Sequence, residues 1–165
     1  VSTSGSKLIT DEAIEAVREM LFPLATLITP NIEEVRVLTG ISVKSVDDMQ
    51  RAAEALLDCG CNAVLMKGGH LDGDESVDML FEKGKDGIGI RSAFVDTKNT
   101  HGTGCTLSSA IASYLALGED LREAFMSAKD YIIHALYAGK DIECGKGHGP
   151  VNHLFNPKKL SGINL

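Results

Sequence analysis

The pattern of apolar and polar positions predicts five helices. In each segment apolar side chains recur at the three- and four-residue spacing that places them on one face of a helix. The predicted helices cover residues 10–21, 33–38, 45–60, 107–115 and 121–136. Thr10 can cap the first of them, and Ser45 with Asp48 resembles a capping box at the start of the third. Gly40 is placed to end the second.

The strands predicted between these helices are short. Two apolar runs, residues 25–28 and 63–66, predict buried strands, and residues 76–81 and 88–94 predict an antiparallel pair joined by a charged turn. The alternation of strands with helices predicts a mainly parallel sheet with helices on both faces. Because the chain shows no internal repeat and no linker, we predict a single α/β domain over residues 1–165.

Composition and charge narrow the functional classes. The chain has 165 residues, 44% of them apolar, so a folded domain with a sizeable core is expected. A formal net charge of −7 argues against binding to nucleic acid or to an anionic membrane surface. No apolar run reaches the length of a membrane span, so no membrane partner is expected. The four cysteines lack a disulfide-framework spacing, which predicts reduced thiols and a cytoplasmic location.

The segment 101–107 carries the most specific chemistry. Its run Gly102-Thr103-Gly104-Cys105 lies at the start of a predicted helix. A helix start leaves backbone N–H groups unpaired and carries partial positive charge, while glycine lets a ligand approach the backbone closely. The segment therefore predicts an anion hole for phosphate, beside a thiol that can act as a base. A glycine turn with an inert buried cysteine is the alternative from this segment alone.

Two further polar clusters follow the predicted buried strands. Asn31 and Glu34 come after the first strand, where an amide and a carboxylate suit hydrated Mg²⁺; an N-cap with its reciprocal partner is the alternative. Lys67 and Gly68 follow the second strand, where the lysine can neutralise nucleotide phosphate, although most lone lysines are solvated surface charges. Because ligands bind beyond the carboxyl ends of such strands, we expect these clusters and the 101–105 loop to converge at one sheet edge.

Four motifs of the chain, taken together, carry a resemblance to a known family. They are, in order, Ile28-Thr29-Pro30-Asn31 with Glu34, Lys67-Gly68-Gly69-His70, Asp96-Thr97 with Asn99-Thr100-His101-Gly102-Thr103-Gly104-Cys105, and Gly145-Lys146-Gly147-His148-Gly149-Pro150. The chain closely resembles the hydroxymethylpyrimidine/phosphomethylpyrimidine kinases of thiamine biosynthesis, from Val1 to about Phe155. This group lies within the ribokinase-like superfamily.

The resemblance implies a ribokinase-like fold of three α/β/α layers. It also implies ATP-dependent phosphorylation of 4-amino-5-hydroxymethyl-2-methylpyrimidine and then of its monophosphate, with ATP, Mg²⁺ and a small pyrimidine as ligands. The residues implied in catalysis are Gly102, Thr103 and Gly104 as the anion hole and Cys105 as the base. The residues implied in nucleotide binding are Asn31, Lys67, Gly68 and Thr97, and those implied in organising Mg²⁺ are Asn31 and Glu34.

The resemblance also leaves alternatives. Members of the family carry a substantial N-terminal part before the strand that ends near Val1, so we expect little of the substrate pocket in this chain. We further expect the chain to associate with that part or to form a homo-oligomer. A pyridoxal kinase of similar sequence and an inactive nucleotide-binding fragment are the competing interpretations. Hydroxyethylthiazole kinases share the Gly-Thr-Gly-Cys loop, but the surroundings of Asn31 and Lys67 argue against them.

Overall fold

The computed structural model describes residues 9–72 and 75–157, which fall into two compact units, Val1–Phe94 and Val95–Leu165. The elements of the first unit are α1 (Asp11–Ala16), which continues as a π-helix (Val17–Leu21) and a 3₁₀ turn (Phe22–Leu24), α2 (Ile32–Thr39), α3 (Val46–Leu57), β1 (Ala63–Asp72), β2 (Glu75–Glu82) and β3 (Ile88–Ala93). The helices of the second unit are α4 (Thr103–Ala116) and α5 (Leu121–Gly139). All five helices predicted from periodicity are therefore present. The prediction of one domain stays a prediction.

Helices of the first unit begin at the capping residues that the sequence indicated. The Thr10 hydroxyl accepts a hydrogen bond from the Ala13 amide at 3.3 Å, and the Ser45 hydroxyl accepts one from the Asp48 amide at 3.2 Å. The predicted capping box of α3 is only half formed, because the Asp48 carboxylate accepts from the Lys44 amide at 2.9 Å. The acidic side chain thus reaches one residue further back than the box requires.

The three strands form a sheet in which every pairing is antiparallel. The predicted pairing of β2 with β3 is confirmed, but β1 also pairs antiparallel with β2, in the order β1-β2-β3. This differs from the mainly parallel sheet that the sequence predicted. Only two residues of the sequence separate β1 from β2, too few for the crossover that parallel neighbours need. The two residues between the strands in the sequence, Gly73-Asp74, are a hairpin signal that would have predicted this pairing.

Parallel pairing occurs where the first buried strand was predicted, at residues 25–28. Ile28 forms a parallel bridge with Val64, and Asn31 forms one with Lys67. The hydrogen bonds that join the two segments include Ile28 N to Ala63 O at 3.1 Å, Leu65 N to Ile28 O at 2.8 Å and Lys67 N to Pro30 O at 3.0 Å. The segment lies beside β1 but is not a regular strand, since proline has no N–H to contribute to a ladder.

Helix α3 packs its apolar face into the core of the first unit. Its buried residues are Met49, Ala52, Ala53 and Leu56, at the spacing predicted from the sequence. They join a cluster that includes Val35 of α2 and Val64 and Met66 of β1. Cys61 also belongs to this core, so we assign it a role in packing. Its burial raises the pKa of the thiol, which favours the uncharged form.

Helices α4 and α5 pack against each other in the second unit. The predicted apolar face of α5 is buried at Ala124, Phe125, Ala128, Ile132 and Ala135. Lys129 is buried as well, which the apolar pattern did not indicate. No helix in the described part of the chain is long and apolar enough to cross a membrane.

We expect the start of α3 to contribute an acid-dependent part of the stability. The hydrogen bond from the Lys44 backbone, with smaller effects from Arg51 and Ser45, lowers the pKa of Asp48 from 3.8 to about 2. A carboxyl group whose pKa is lower in the folded state stabilises the fold above its unfolded pKa and loses that effect as the pH falls through its folded pKa. The free energy of unfolding, measured with urea, should therefore decrease less between pH 4 and pH 2 in Asp48→Asn than in wild type. Asp47→Asn is the control, and equal acid slopes in Asp48→Asn and wild type would contradict the assignment.

Candidate functional site

Asn31 and Glu34 form a reciprocal cap at the start of α2. The Asn31 Oδ1 atom accepts a hydrogen bond from the Glu34 amide at 2.8 Å, and the Glu34 Oε2 atom accepts one from the Asn31 amide at 2.8 Å. Both side chains are half-buried. The capping role that the sequence left open is therefore confirmed. A role in organising a metal ion stays a prediction and would have to operate in addition to the cap.

A cavity of about 300 Å³ opens beside this cap. Its walls are mainly apolar, with Ile28, Phe22 and Pro30 among them, and Glu34 is the charged side chain in the lining. Glu34 thus borders a space that suits a small molecule while it also caps α2.

The two predicted polar clusters of the first unit meet at one place. The parallel bridge between Asn31 and Lys67 sets these residues side by side, and the Lys67 amide donates to the Pro30 carbonyl at 3.0 Å. Lys67 is half-buried and Gly68 is buried. The convergence predicted for these two clusters is therefore observed. The third cluster lies in the second unit, and its convergence with the other two stays a prediction.

Asp78 on β2 is a charged neighbour of this cluster that the sequence analysis did not single out. It is 4% exposed, and its Oδ1 atom accepts a hydrogen bond from the Gly68 amide at 3.2 Å. Asp78 is also the cross-strand partner of Lys67, so the two residues lie on the same face of the sheet. The signal in the sequence was an aspartate between Val77 and Met79, within the apolar middle of the strand.

The predicted anion-binding loop lies at the start of α4. The N-cap is Gly102, with φ of +87°, and it provides no side-chain cap, whereas Thr10, Asn31, Ser45 and Asp120 cap the other described α-helices. A β-carbon at Gly102 would meet nothing closer than 4.0 Å, so only the left-handed backbone calls for glycine there. The amides of Gly104 and Cys105 have no hydrogen-bond acceptor within the described residues. They are available to an anion.

The side chains of this loop differ in what they can offer a ligand. The Thr103 hydroxyl donates to the Thr100 carbonyl at 2.7 Å, which tightens the turn into α4. Cys105 is exposed. This differs from the alternative interpretation of the segment, in which the cysteine is buried and inert. A reactive group at the third position of the helix is therefore accessible to solvent and to a substrate.

The Thr97 hydroxyl makes two hydrogen bonds within the second unit. It donates to the Lys140 carbonyl at 3.0 Å and accepts from the Asn99 amide at 3.0 Å. The single proton of the hydroxyl is thus already committed, which leaves only acceptor capacity for a ligand. Nucleotide binding by Thr97 stays a prediction.

No group of three or more His, Cys, Asp or Glu side chains is placed to hold a metal ion in residues 9–72 and 75–157. These residues therefore contain no cluster of the kind that binds a metal ion through protein ligands alone. A hydrated Mg²⁺ needs only one or two carboxylates together with substrate phosphates, and an amide beside a carboxylate is compatible with that chemistry.

The fold matches solved structures of small-molecule kinases. An ADP complex of pyridoxal kinase from Bacillus subtilis has a TM-score of 0.79 and 37% identity, over 88% of this chain and 56% of that one. A phosphomethylpyrimidine kinase from Clostridium difficile has a TM-score of 0.67 and 47% identity, over 82% of this chain and 54% of that one. The part of the fold that this chain spans is therefore similar to that of α/β kinases of the ribokinase-like class.

Sequence relatives narrow this class to one family. The chain is 47% identical over 158 residues to the thiamine biosynthesis bifunctional protein ThiED of Geobacter sulfurreducens, covering 94% of this chain and 31% of the relative. It is 44% identical over 155 residues to the hydroxymethylpyrimidine/phosphomethylpyrimidine kinase of Rhizobium meliloti, covering 93% of this chain and 58% of the relative. The family model described as phosphomethylpyrimidine kinase matches residues 1–152. The chain belongs to the phosphomethylpyrimidine kinase family, which confirms the resemblance read from its motifs. It spans less than two thirds of the length of these relatives.

Proposed function

We propose that this chain supplies the catalytic loop and the nucleotide side of an ATP-dependent kinase. Its substrates would be 4-amino-5-hydroxymethyl-2-methylpyrimidine and the monophosphate of that compound. The observation that carries the proposal is the helix start at Gly102, where the exposed Cys105 thiol lies with two amides that have no acceptor among the described residues. This combination suits phosphoryl transfer to an alcohol, because negative charge on the transferred group must be stabilised while a proton leaves the nucleophile.

In the first reaction the substrate hydroxyl oxygen attacks the γ-phosphorus of ATP. The bond from that phosphorus to the β–γ bridging oxygen breaks, and ADP leaves with the electron pair. Cys105, as thiolate, takes the proton of the attacking hydroxyl, and the amides of Gly104 and Cys105 donate to the oxygens of the transferred group. In the second reaction the nucleophile is a phosphate monoester that is already ionised near neutral pH, so a base is needed less.

Lys67, Asn31 and Glu34 would serve the nucleotide. Lys67 lies beside Asn31 and across from Asp78, and its ammonium group would neutralise phosphate charge. The donor set of Asn31 and Glu34, an amide and a carboxylate, is of the kind that fits a hydrated Mg²⁺. When bound, Mg²⁺ neutralises charge on the β- and γ-phosphates. Glu34 would hold and orient its water ligands.

A pyridoxal kinase is the second candidate. Solved structures of pyridoxal kinase from Staphylococcus aureus match the chain with TM-scores up to 0.80, at 32–35% identity. Pyridoxal also presents a hydroxymethyl group on a nitrogen-containing ring, so the same base and anion hole would serve. Assays with both alcohols distinguish the two functions.

Replacement of Cys105 tests the base. We expect Cys105→Ala to lower kcat for the unphosphorylated pyrimidine by about a hundredfold, in the range of general-base catalysis, with little change in nucleotide affinity. The second phosphorylation should lose less, because its nucleophile has no proton that must be removed. Initial rates with each substrate, with Cys144→Ala as the control for an exposed thiol, measure this. Wild-type turnover in Cys105→Ala would rule out the base assignment.

Glu34→Gln separates capping from metal binding. Glutamine can still accept the hydrogen bond from the Asn31 amide, so the cap and the melting temperature should be retained. The Mg²⁺ concentration for half-maximal rate should rise, since the carboxylate charge is gone. A Mg²⁺ titration of the rate beside thermal melts measures both, with Glu33→Gln as the matched control. A lower melting temperature with an unchanged titration would make Glu34 a capping residue alone.

The kinase proposal is tested by a coupled ADP-release assay. Because the chain covers only part of its relatives, we expect it to show no pyrimidine-dependent ADP release alone. Release should appear when the remaining part of the kinase, taken from the Rhizobium relative, is supplied as a second chain. Binding of ATP without release in either case would favour the inactive nucleotide-binding fragment. Turnover by the chain alone would show that these residues build the whole pocket.

A further inference from the structure

Asn99 is a buried polar residue just before the anion-binding loop, and no role above accounts for it. Its side chain is 7% exposed. The Nδ2 atom donates to the Gly139 carbonyl at 2.7 Å and to the Ile142 carbonyl at 2.7 Å. These carbonyls belong to the last residue of α5 and to a residue just beyond it, and the Gly139 carbonyl also accepts a hydrogen bond from the Ile142 amide at 3.1 Å. Both protons of the amide are therefore used to hold the end of α5.

Gly149 closes on the other side of the same side chain. A β-carbon at Gly149 would lie 2.0 Å from the Asn99 Oδ1 atom, so no larger residue fits there without moving Asn99. The chain on either side of this contact is paired too. The His101 amide donates to the Gly149 carbonyl at 3.1 Å, and the Val151 amide donates to the His101 carbonyl at 3.3 Å. The glycine-rich tail thus runs against the segment that leads into α4.

We propose that Asn99 is a positioning residue for phosphoryl transfer. Asn99, with the Gly139 and Ile142 carbonyls and Gly149, forms an Asn99 clamp that holds residues 97–101 against the end of α5 and the tail. Because Gly102 follows directly, the clamp sets the direction in which the amides of Gly104 and Cys105 point. Asn99 acts through this backbone and does not contact the reacting atoms. The proposal rests on the proposed function for its catalytic consequence.

The clamp explains the need for glycine at 149 and for an amide at 99. Aspartate at 99 would place an oxygen, with no proton to donate, against two carbonyl oxygens, although its shape is almost the same. Alanine would remove both hydrogen bonds, so the Ile142 carbonyl would lose the Asn99 donor and the Gly139 carbonyl would keep only the bond from the Ile142 amide. In each case the segment before Gly102 loses the buried part of its anchor and keeps the hydrogen bonds of Thr97 and His101, while Cys105 and the amides of α4 remain present.

The test compares Asn99→Ala, Asn99→Asp and Gly149→Ala with wild type in the assembled kinase. We expect kcat to fall by about tenfold to a hundredfold, because small displacements of a catalytic group cost rate on that scale. The KM for the pyrimidine should change little. Asn152→Ala is the matched control: that side chain donates to the Ala138 carbonyl near the same helix end at 3.4 Å and accepts from the Leu154 amide, so its hydrogen bonds within the described residues do not include residues 97–101. Equal losses in Asn152→Ala and Asn99→Ala would overturn the proposal.

Amide hydrogen exchange in the chain itself gives a readout that does not need turnover. Peptides covering residues 97–106 should exchange faster in Asn99→Ala and in Gly149→Ala, while peptides from residues 107–116 of α4 stay as in wild type. Unchanged exchange in 97–106 in folded variants would overturn the clamp. If one variant fails to fold, the other decides. If wild type shows no turnover in the assembled kinase, the proposed function fails, and the exchange comparison still decides whether Asn99 holds the loop.

Discussion

The backbone pairing between residues 25–31 and β1 is the constraint on which the polar cluster of the first unit depends. It bridges Asn31 to Lys67 and so joins two clusters that are far apart in the sequence. The pairing ends at Pro30 and Asn31, because proline has no N–H to contribute and Asn31 turns the chain into α2. The same residue therefore ends a strand-like segment, caps a helix and stands next to Lys67.

Burial explains why the cluster is built from pairs. The register of β1 with β2 places the buried Asp78 across from the half-buried Lys67. Asp78 in turn is buried and accepts a hydrogen bond from the Gly68 amide. The strand pairing thus serves two purposes, since it builds the sheet and supplies the charge beside the candidate nucleotide-binding residues.

In the second unit the candidate site depends on backbone amides that have no acceptor among the described residues. The other described α-helices satisfy their first amides with a side-chain cap, but α4 begins with a left-handed glycine and keeps two amides open. An open helix end must be held in place by something else. Thr97, Asn99 and His101 do this through hydrogen bonds to the end of α5 and to the tail.

The sequence alone determined the five helices, the side-chain caps at Thr10, Asn31 and Ser45, and the glycine-rich start of α4. These features depend on contacts three or four residues apart, so spacing and capping residues predict them. The direction of the strands, the pairing of Lys67 with Asp78 and the burial of Asn99 were decided only by the tertiary structure. Partners in a sheet, and the carbonyls that satisfy a buried amide, come from distant parts of the chain. No local pattern at 78 or 99 specifies which segment will lie beside it.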